Sequence, residues 1–206
     1  MKRLIVALLL LTPFAVLAGL EEDVSALQRE WDEIKYRRAA AEQEPAFAAL
    51  TKSADAVRTK HAGRAEPQIW YGIIAASYAG ARGGLGALSL AKEAKKALEQ
   101  ALEIDPKALQ GSAYTSLGSL YYQVPGWPIG FGSDEKAREM LDRALAINPD
   151  GIDPNFFMGD FLYRKGDHAG ARRALDKALK APPRPERALA DQGRRKEIES
   201  LLAALR

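Results

Sequence analysis

The chain has 206 residues, 30 Lys and Arg against 27 Asp and Glu, a formal net charge of +3 and no cysteine. Loss of an N-terminal leader carrying Lys2 and Arg3 would leave 28 basic against 27 acidic side chains, a balance that argues against nucleic acid or an anionic membrane surface as partner. Without cysteine there is no disulfide, no thiolate chemistry and no lipid-modified cysteine anchor, so apolar packing has to hold the fold together, and the chain is long enough for that.

Met1, Lys2 and Arg3 precede an apolar run from Leu4 to Leu17, broken by Thr12 and Pro13 and closed by Val16, Leu17 and Ala18. This pattern predicts a cleavable signal peptide over 1–18, a mature chain starting at Gly19, and export to the periplasm. The run of 14 residues is shorter than the ~20 that span a bilayer, so no stable membrane insertion is expected after cleavage. A polar helix over Glu22–Ala40 carries Val24, Leu27, Trp31 and Ile34, and a second over Pro45–His61 carries Phe47, Leu50, Ala54 and Val57. Together they predict an N-terminal hairpin, 19–65. A third helix over Pro67–Ala81 carries Ile69, Trp70, Ile73, Ile74 and Tyr78. The glycine-rich stretch Gly80–Gly86 follows a helix and lacks a terminal lysine, so it reads as a flexible connection between paired helices rather than a phosphate loop.

Beyond it a small-apolar-small pattern recurs. Ala137, Leu141, Ala144 and Pro149 return 34 residues later as Ala171, Leu175, Ala178 and Pro183, and an upstream copy, Ala94, Leu98, Ala101 and Pro106, precedes them by 43. Steps of four and three residues place each set on one helix face, where alanine lets a neighbour approach closely and proline ends the helix. Asp153 and Pro154 suggest a helix start, Met158, Gly159 and Leu162 a large-small-large face, and Gly166 with Asp167 a turn and the next cap. Leu117, Gly118 and Tyr121 take the same roles one unit earlier. Gly118 lies 19 residues before Ala137 but Gly159 only 12 before Ala171, so seven residues are inserted between the earlier pair of helices.

In period and residue pattern this resembles the tetratricopeptide repeat. The resemblance implies an all-α fold, a right-handed solenoid of antiparallel helical hairpins. Its units are 66–106, 107–149 and 150–183, spanning 66–183 together, and a capping helix over 184–206 carries Leu189, Ile198, Leu201, Leu202 and Leu205. Arg194, Arg195 and Lys196, interleaved with Asp191, Glu197 and Glu199, read as the solvated face of that helix.

The insertion, Gln123–Ser133, holds Trp127, Ile129 and Phe131 among prolines and glycines. With Leu117, Gly118, Tyr121, Tyr122, Pro125, Gly130, Gly132, Asp134, Lys136 and Ala137 it resembles the T-component proteins of TRAP transporters and the regulators of microtubule dynamics. That likeness implies a periplasmic helical-repeat protein that docks a solute-binding partner and holds an apolar ligand in a central opening.

Two functional readings follow. In the first, a scaffold binds a protein segment on its concave face through Tyr114, Tyr121, Asn155 and Asp160, with the insertion as a flap; core filling also accounts for Tyr121. In the second, Tyr122, Trp127, Ile129 and Phe131 line an apolar opening for a small ligand. No cofactor, metal set or enzyme site is expected. His61 and His168 are 107 positions apart and read as exposed helix-end residues, no serine sits in a nucleophile elbow, and Asp153 and Asp160 share a helix face, with Asp153 explained as a cap.

Overall fold

The structure, a computed structural model, describes residues 13–205. The leader expected over 1–18 falls largely on residues outside these, and α1 runs through the Ala18–Gly19 junction. Nine α-helices occur among the described residues: α1 Pro13–Arg37, α2 Ala40–Lys60, α3 Ala65–Arg82, α4 Gly84–Ile104, α5 Ser112–Gln123, α6 Asp134–Ile147, α7 Ile152–Arg164, α8 His168–Leu179 and α9 Ala188–Ala204. Short 3-10 turns, Ala108–Gly111 and Pro185–Arg187, precede α5 and α9. None of these helices is long and apolar enough to cross a membrane.

The chain is a solenoid of antiparallel hairpins, and the repeated triads are the seams inside three of them. All nine side chains of Ala94-Leu98-Ala101, Ala137-Leu141-Ala144 and Ala171-Leu175-Ala178 have 0% exposure, so each leucine contributes about 2 kcal/mol of burial. Each leucine sits against a glycine of the helix before it. A Cβ on Gly72 would lie 2.6 Å from Leu98 Cγ, one on Gly118 2.7 Å from Leu141 Cγ, and one on Gly159 2.7 Å from Leu175 Cγ. The helices can approach this closely only because those positions lack a side chain.

Caps are set locally. Ser133 accepts from the Lys136 amide ahead of α6, and Asp167 from the Gly170 amide ahead of α8. Asp153 is not a cap, since α7 starts at Ile152 behind Gly151. Pro45 lies inside α2 rather than at its start; it is exposed, as is Ala41 one turn back, so water can satisfy the carbonyl that proline leaves unpaired. The glycine-rich connection is far shorter than expected. Only Gly83 separates α3 from α4, with Gly83 and Gly84 at φ 64° and 61°, a sharp reversal that only glycine makes cheaply.

The largest departure is at the C-terminus. Ile198, Leu201 and Leu202 of α9 and Leu205 just after it pack with Ile152, Leu175 and Ala178 of the last hairpin and with Ala181 in the turn that follows, as a capping helix must. But α9 also reaches α1, which bends the array into a ring. Part of the face expected to be solvated is therefore inside, while Lys196 and Glu199 stay exposed. Asp191 and Arg194 are 6% and 7% exposed, and Arg195 donates to the carbonyls of Leu179 and Ala181 at the end of α8.

Candidate functional site

Ring closure encloses a cavity of about 1070 Å³ bounded chiefly by α1, α3, α5, α7 and α9. The lining of α5 is small and polar: Ser112, Thr115, Ser116, Ser119 and Gln123 follow at helical spacing on one face. Trp31, Phe47, Trp70 and Ile73 form an apolar wall, continued on α7 by Phe156 and Phe157. Trp31 Nε1 donates to Ser77 Oγ at 2.8 Å, whereas Trp70 Nε1 is buried without a partner.

Where the two ends of the array meet, arginines and aspartates interlock. Asp153 accepts from Arg184 Nη1 at 2.8 Å and from Arg194 Nε at 2.9 Å. Asp191 accepts from Arg184 Nε and Nη2 at 2.8 and 2.6 Å. Arg194 also donates to Glu197, and its guanidinium lies 4.2 Å from the Phe156 ring centre and 4.8 Å from that of Phe157. Arg187 holds Asp32 with two bonds, Nη2 to Oδ1 at 2.6 Å and Nε to Oδ2 at 3.0 Å, and stacks over Trp70 at 4.9 Å.

The two aspartates respond differently to this setting. Burial pushes Asp153 upward, but Arg194 and Arg184 outweigh it and hold the carboxyl below its ordinary range. Asp32 is raised: burial dominates, and its hydrogen bonds and charge attraction to Arg187 only partly offset that. Burial also drives up the phenol of Tyr36, whose ring packs on Gly193 of α9 so closely that a Cβ there would meet it at 2.2 Å.

Of the residues expected on the concave face, Asp160 lines the cavity. It pairs with Arg164 at 3.1 Å and accepts from the Tyr122 hydroxyl at 2.7 Å, and burial beside that carboxylate raises the Tyr122 phenol. The other three do not line it. Tyr114 lies under the Arg143 guanidinium of α6 at 5.8 Å. Tyr121 is 6% exposed and meets Phe131 edge-on at 5.8 Å. Asn155, 3% exposed, donates to the carbonyls of Pro149 and Gly151, both at 2.8 Å, tying down the turn before α7.

Nor do Tyr122, Trp127, Ile129 and Phe131 line a shared opening. Phe131 turns into the core, Tyr122 turns to Asp160, and Trp127 and Ile129 stand out in solvent at 90% and 67% exposure. The insertion is pinned rather than hung as a flap over the cavity. Ile129 and Gly130 donate to the Gly126 carbonyl, Gly132 to Pro125, and Ser133 to Tyr121; the Trp127–Pro128 peptide is cis. His61 is another correction: its side chain is 8% exposed and bonds Asp23 at 2.7 Å, while His168 is exposed and stacks on Tyr163.

The sequence pattern places Arg194 on a solvated face and gives Arg184 and Arg187 no role, although Arg187 and Arg194 are seven apart, with Arg184 three residues before Arg187. Asp153 and Asp160 do share the cavity wall, as their spacing predicts.

Two segments match profiles described as tetratricopeptide repeat, 135–205, covering α6 to α9, and 87–108, covering most of α4. These matches support the tetratricopeptide family. Among solved structures, TTC0263, a thermophilic TPR protein of Thermus thermophilus, superposes with a TM-score of 0.58 at 18% identity, over 90% of this chain and 89% of that one. The MamA protein gives a TM-score of 0.46 at 17% identity, over 90% and 91%. No curated protein matches. The first superposition establishes a shared fold, and the tetratricopeptide matches support a protein-interaction scaffold, the usual role of such arrays.

Proposed function

We propose that this chain is an exported tetratricopeptide scaffold that receives a segment of a partner protein in the cavity of its ring. Residues 19–65 act as the entry hairpin, 66–183 as the repeats and 184–206 as the closing segment. The observation that carries the reading is the cavity of about 1070 Å³ lined by α1 and part of α2 and then by the first helices of the following hairpins, α3, α5 and α7, the surface such arrays present to partners. Export rests on the leader pattern at Met1–Ala18.

The test is photocrosslinking in cells from a reactive amino acid at Ser116, on the α5 wall, and separately at Trp127, on the loop tip. A discrete protein adduct from Ser116 supports the reading. An adduct from Trp127 alone moves the partner to the outer loop, and none from either site in a folded, exported chain refutes both. A second reading has its own support. The walls of Trp31, Phe47, Trp70, Phe156 and Phe157 and closure by α9 suit a small amphipathic ligand, since ligand pockets of roughly 300–1,000 Å³ are lined mainly by such side chains. A small-molecule adduct at Ser116 would favour that reading, and with it a T-component-like accessory role.

A further inference from the structure

In a tetratricopeptide array each hairpin rests on its sequence neighbours, and here one contact breaks that rule. Residues 155 positions apart, Asp32 and Arg187, meet where α9 and its preceding turn touch α1. This seam differs in kind from the packing inside the hairpins. Ile198, Leu201 and Leu202 of α9 are committed to the last hairpin, in a cluster whose members come from α7, α8, α9 and the turns at Ala181 and Leu205 and include none from α1. The seam holds the Arg187–Asp32 pair, a longer Lys35–Glu197 pair at 3.5 Å, and the Tyr36 ring on Gly193. Its ion pair is enclosed, with side-chain exposures of 12% for Arg187 and 6% for Asp32, so the attraction is largely spent against desolvation. Within the hairpins, by contrast, buried Ala-Leu-Ala stripes interdigitate with glycine of the paired helix.

We infer that the ring is a split ring that opens at the α1–α9 seam: α9 moves with α7 and α8, α1 moves with α2 and α3, and small rotations between hairpins part the ends and uncover the aromatic wall. Parting the seam breaks two ion pairs, the Tyr36–Gly193 contact and the Arg187–Trp70 stacking, and leaves Ile198, Leu201 and Leu202 in their apolar cluster. Arg187 withdraws from above Trp70, and Tyr36, 5.8 Å from Trp31, loses its cover. An open seam admits a chain segment sideways, which a closed ring would accept only end-on. The inference concerns the protein alone and holds whatever occupies the cavity.

The chain carries three tryptophans, and Trp127→Phe leaves Trp31 and Trp70, 8% and 4% exposed, as reporters beside the seam. In that background, acrylamide quenching should be weak. Asp32→Asn combined with Arg187→Gln should raise the quenching constant at least twofold at unchanged helical content. Since the chain has no cysteine of its own, Lys35→Cys with Glu197→Cys joined by a short bis-maleimide should hold quenching at or below the level of the same variant before cross-linking. Equal quenching in the parent, the double variant and the cross-linked protein overturns the inference. A second measurement leaves the seam intact and serves if the double variant fails to fold. Spin labels on Glu33→Cys and Glu199→Cys, both exposed positions, should report a closed distance and a longer, open one by pulsed electron resonance. A single narrow distance refutes the split ring.

Discussion

Replacing Gly118 by alanine tests the close packing on which the whole array depends. Alanine is the better helix former by about 1 kcal/mol, so on an unpacked helix the change would stabilise. Here the new methyl would lie 2.7 Å from Leu141 Cγ, 2.9 Å from Cδ2 and 3.3 Å from the Ala137 carbonyl. Leu141 is 0% exposed and has nowhere to retreat. Overpacking of this kind costs about 1–3 kcal/mol, so the net effect should be a loss of about 1 kcal/mol. Gly80 supplies the control: it is an exposed position within α3 where a Cβ would meet nothing within 4 Å, so Gly80→Ala should gain about 1 kcal/mol. Urea unfolding followed by circular dichroism measures both as shifts in midpoint. Gly72→Ala and Gly159→Ala should behave like Gly118→Ala. Leu141→Ala alone should cost about 2–5 kcal/mol, but combined with Gly118→Ala less than the sum, because the added methyl fills part of the space vacated. If Gly118→Ala stabilises as much as Gly80→Ala does, the hairpins are not packed through glycine and the argument fails.

Arg194→Met keeps the apolar stem over Phe156 and Phe157 but deprives the half-buried Asp153 of one of its two guanidinium partners, leaving Arg184; a loss of about 1.5–3 kcal/mol, the worth of a hydrogen bond to a charged group, is expected in the same unfolding assay. The two aspartates, Asp32 buried and Asp153 half-buried, should show opposite pH signatures. Asp153, lowered in the fold, contributes stability above the ordinary value of 3.8 that is lost as pH falls through its folded value, so the penalty of Asp153→Asn should shrink on acidification. Asp32, raised above 3.8, contributes most below that value and loses its contribution as pH rises through its folded value, so the penalty of Asp32→Asn should shrink in the upward direction; parallel profiles for the two variants would contradict the assignment. At the insertion, Trp127→Ala should leave stability within about 0.5 kcal/mol, as exposed positions do, while Phe131→Ala, which removes the ring against Tyr121, should cost about 2 kcal/mol; equal costs would show that tip and anchor are not distinct.

What could be read from the residues alone follows from how local the contacts are. The Ala-Leu-Ala stripes recur at helical spacing, and their glycine partners sit in the adjacent helix, so hairpins, turns and caps such as Asp167 follow from nearest neighbours in sequence. The same locality explains the errors nearby. Asn155, expected on the groove, ties down a turn, while Tyr121 fills the core, as its place in the repeat allows; whether a side chain faces groove, core or turn depends on a few degrees of helix rotation that spacing does not encode. Asp153 fits a capping pattern, and only its distance to Arg184 and Arg194, which lie 31 and 41 residues away, reveals its actual role. The repeat unit is written into the residues themselves, because each unit buries its face against the next through short-range, periodic contacts. Closure into a ring, the inward turn of Arg194 and Asp191 and the cavity they border belong to the tertiary level, because they depend on the rotation accumulated over successive hairpins, which brings Asp32 to Arg187 across 155 residues.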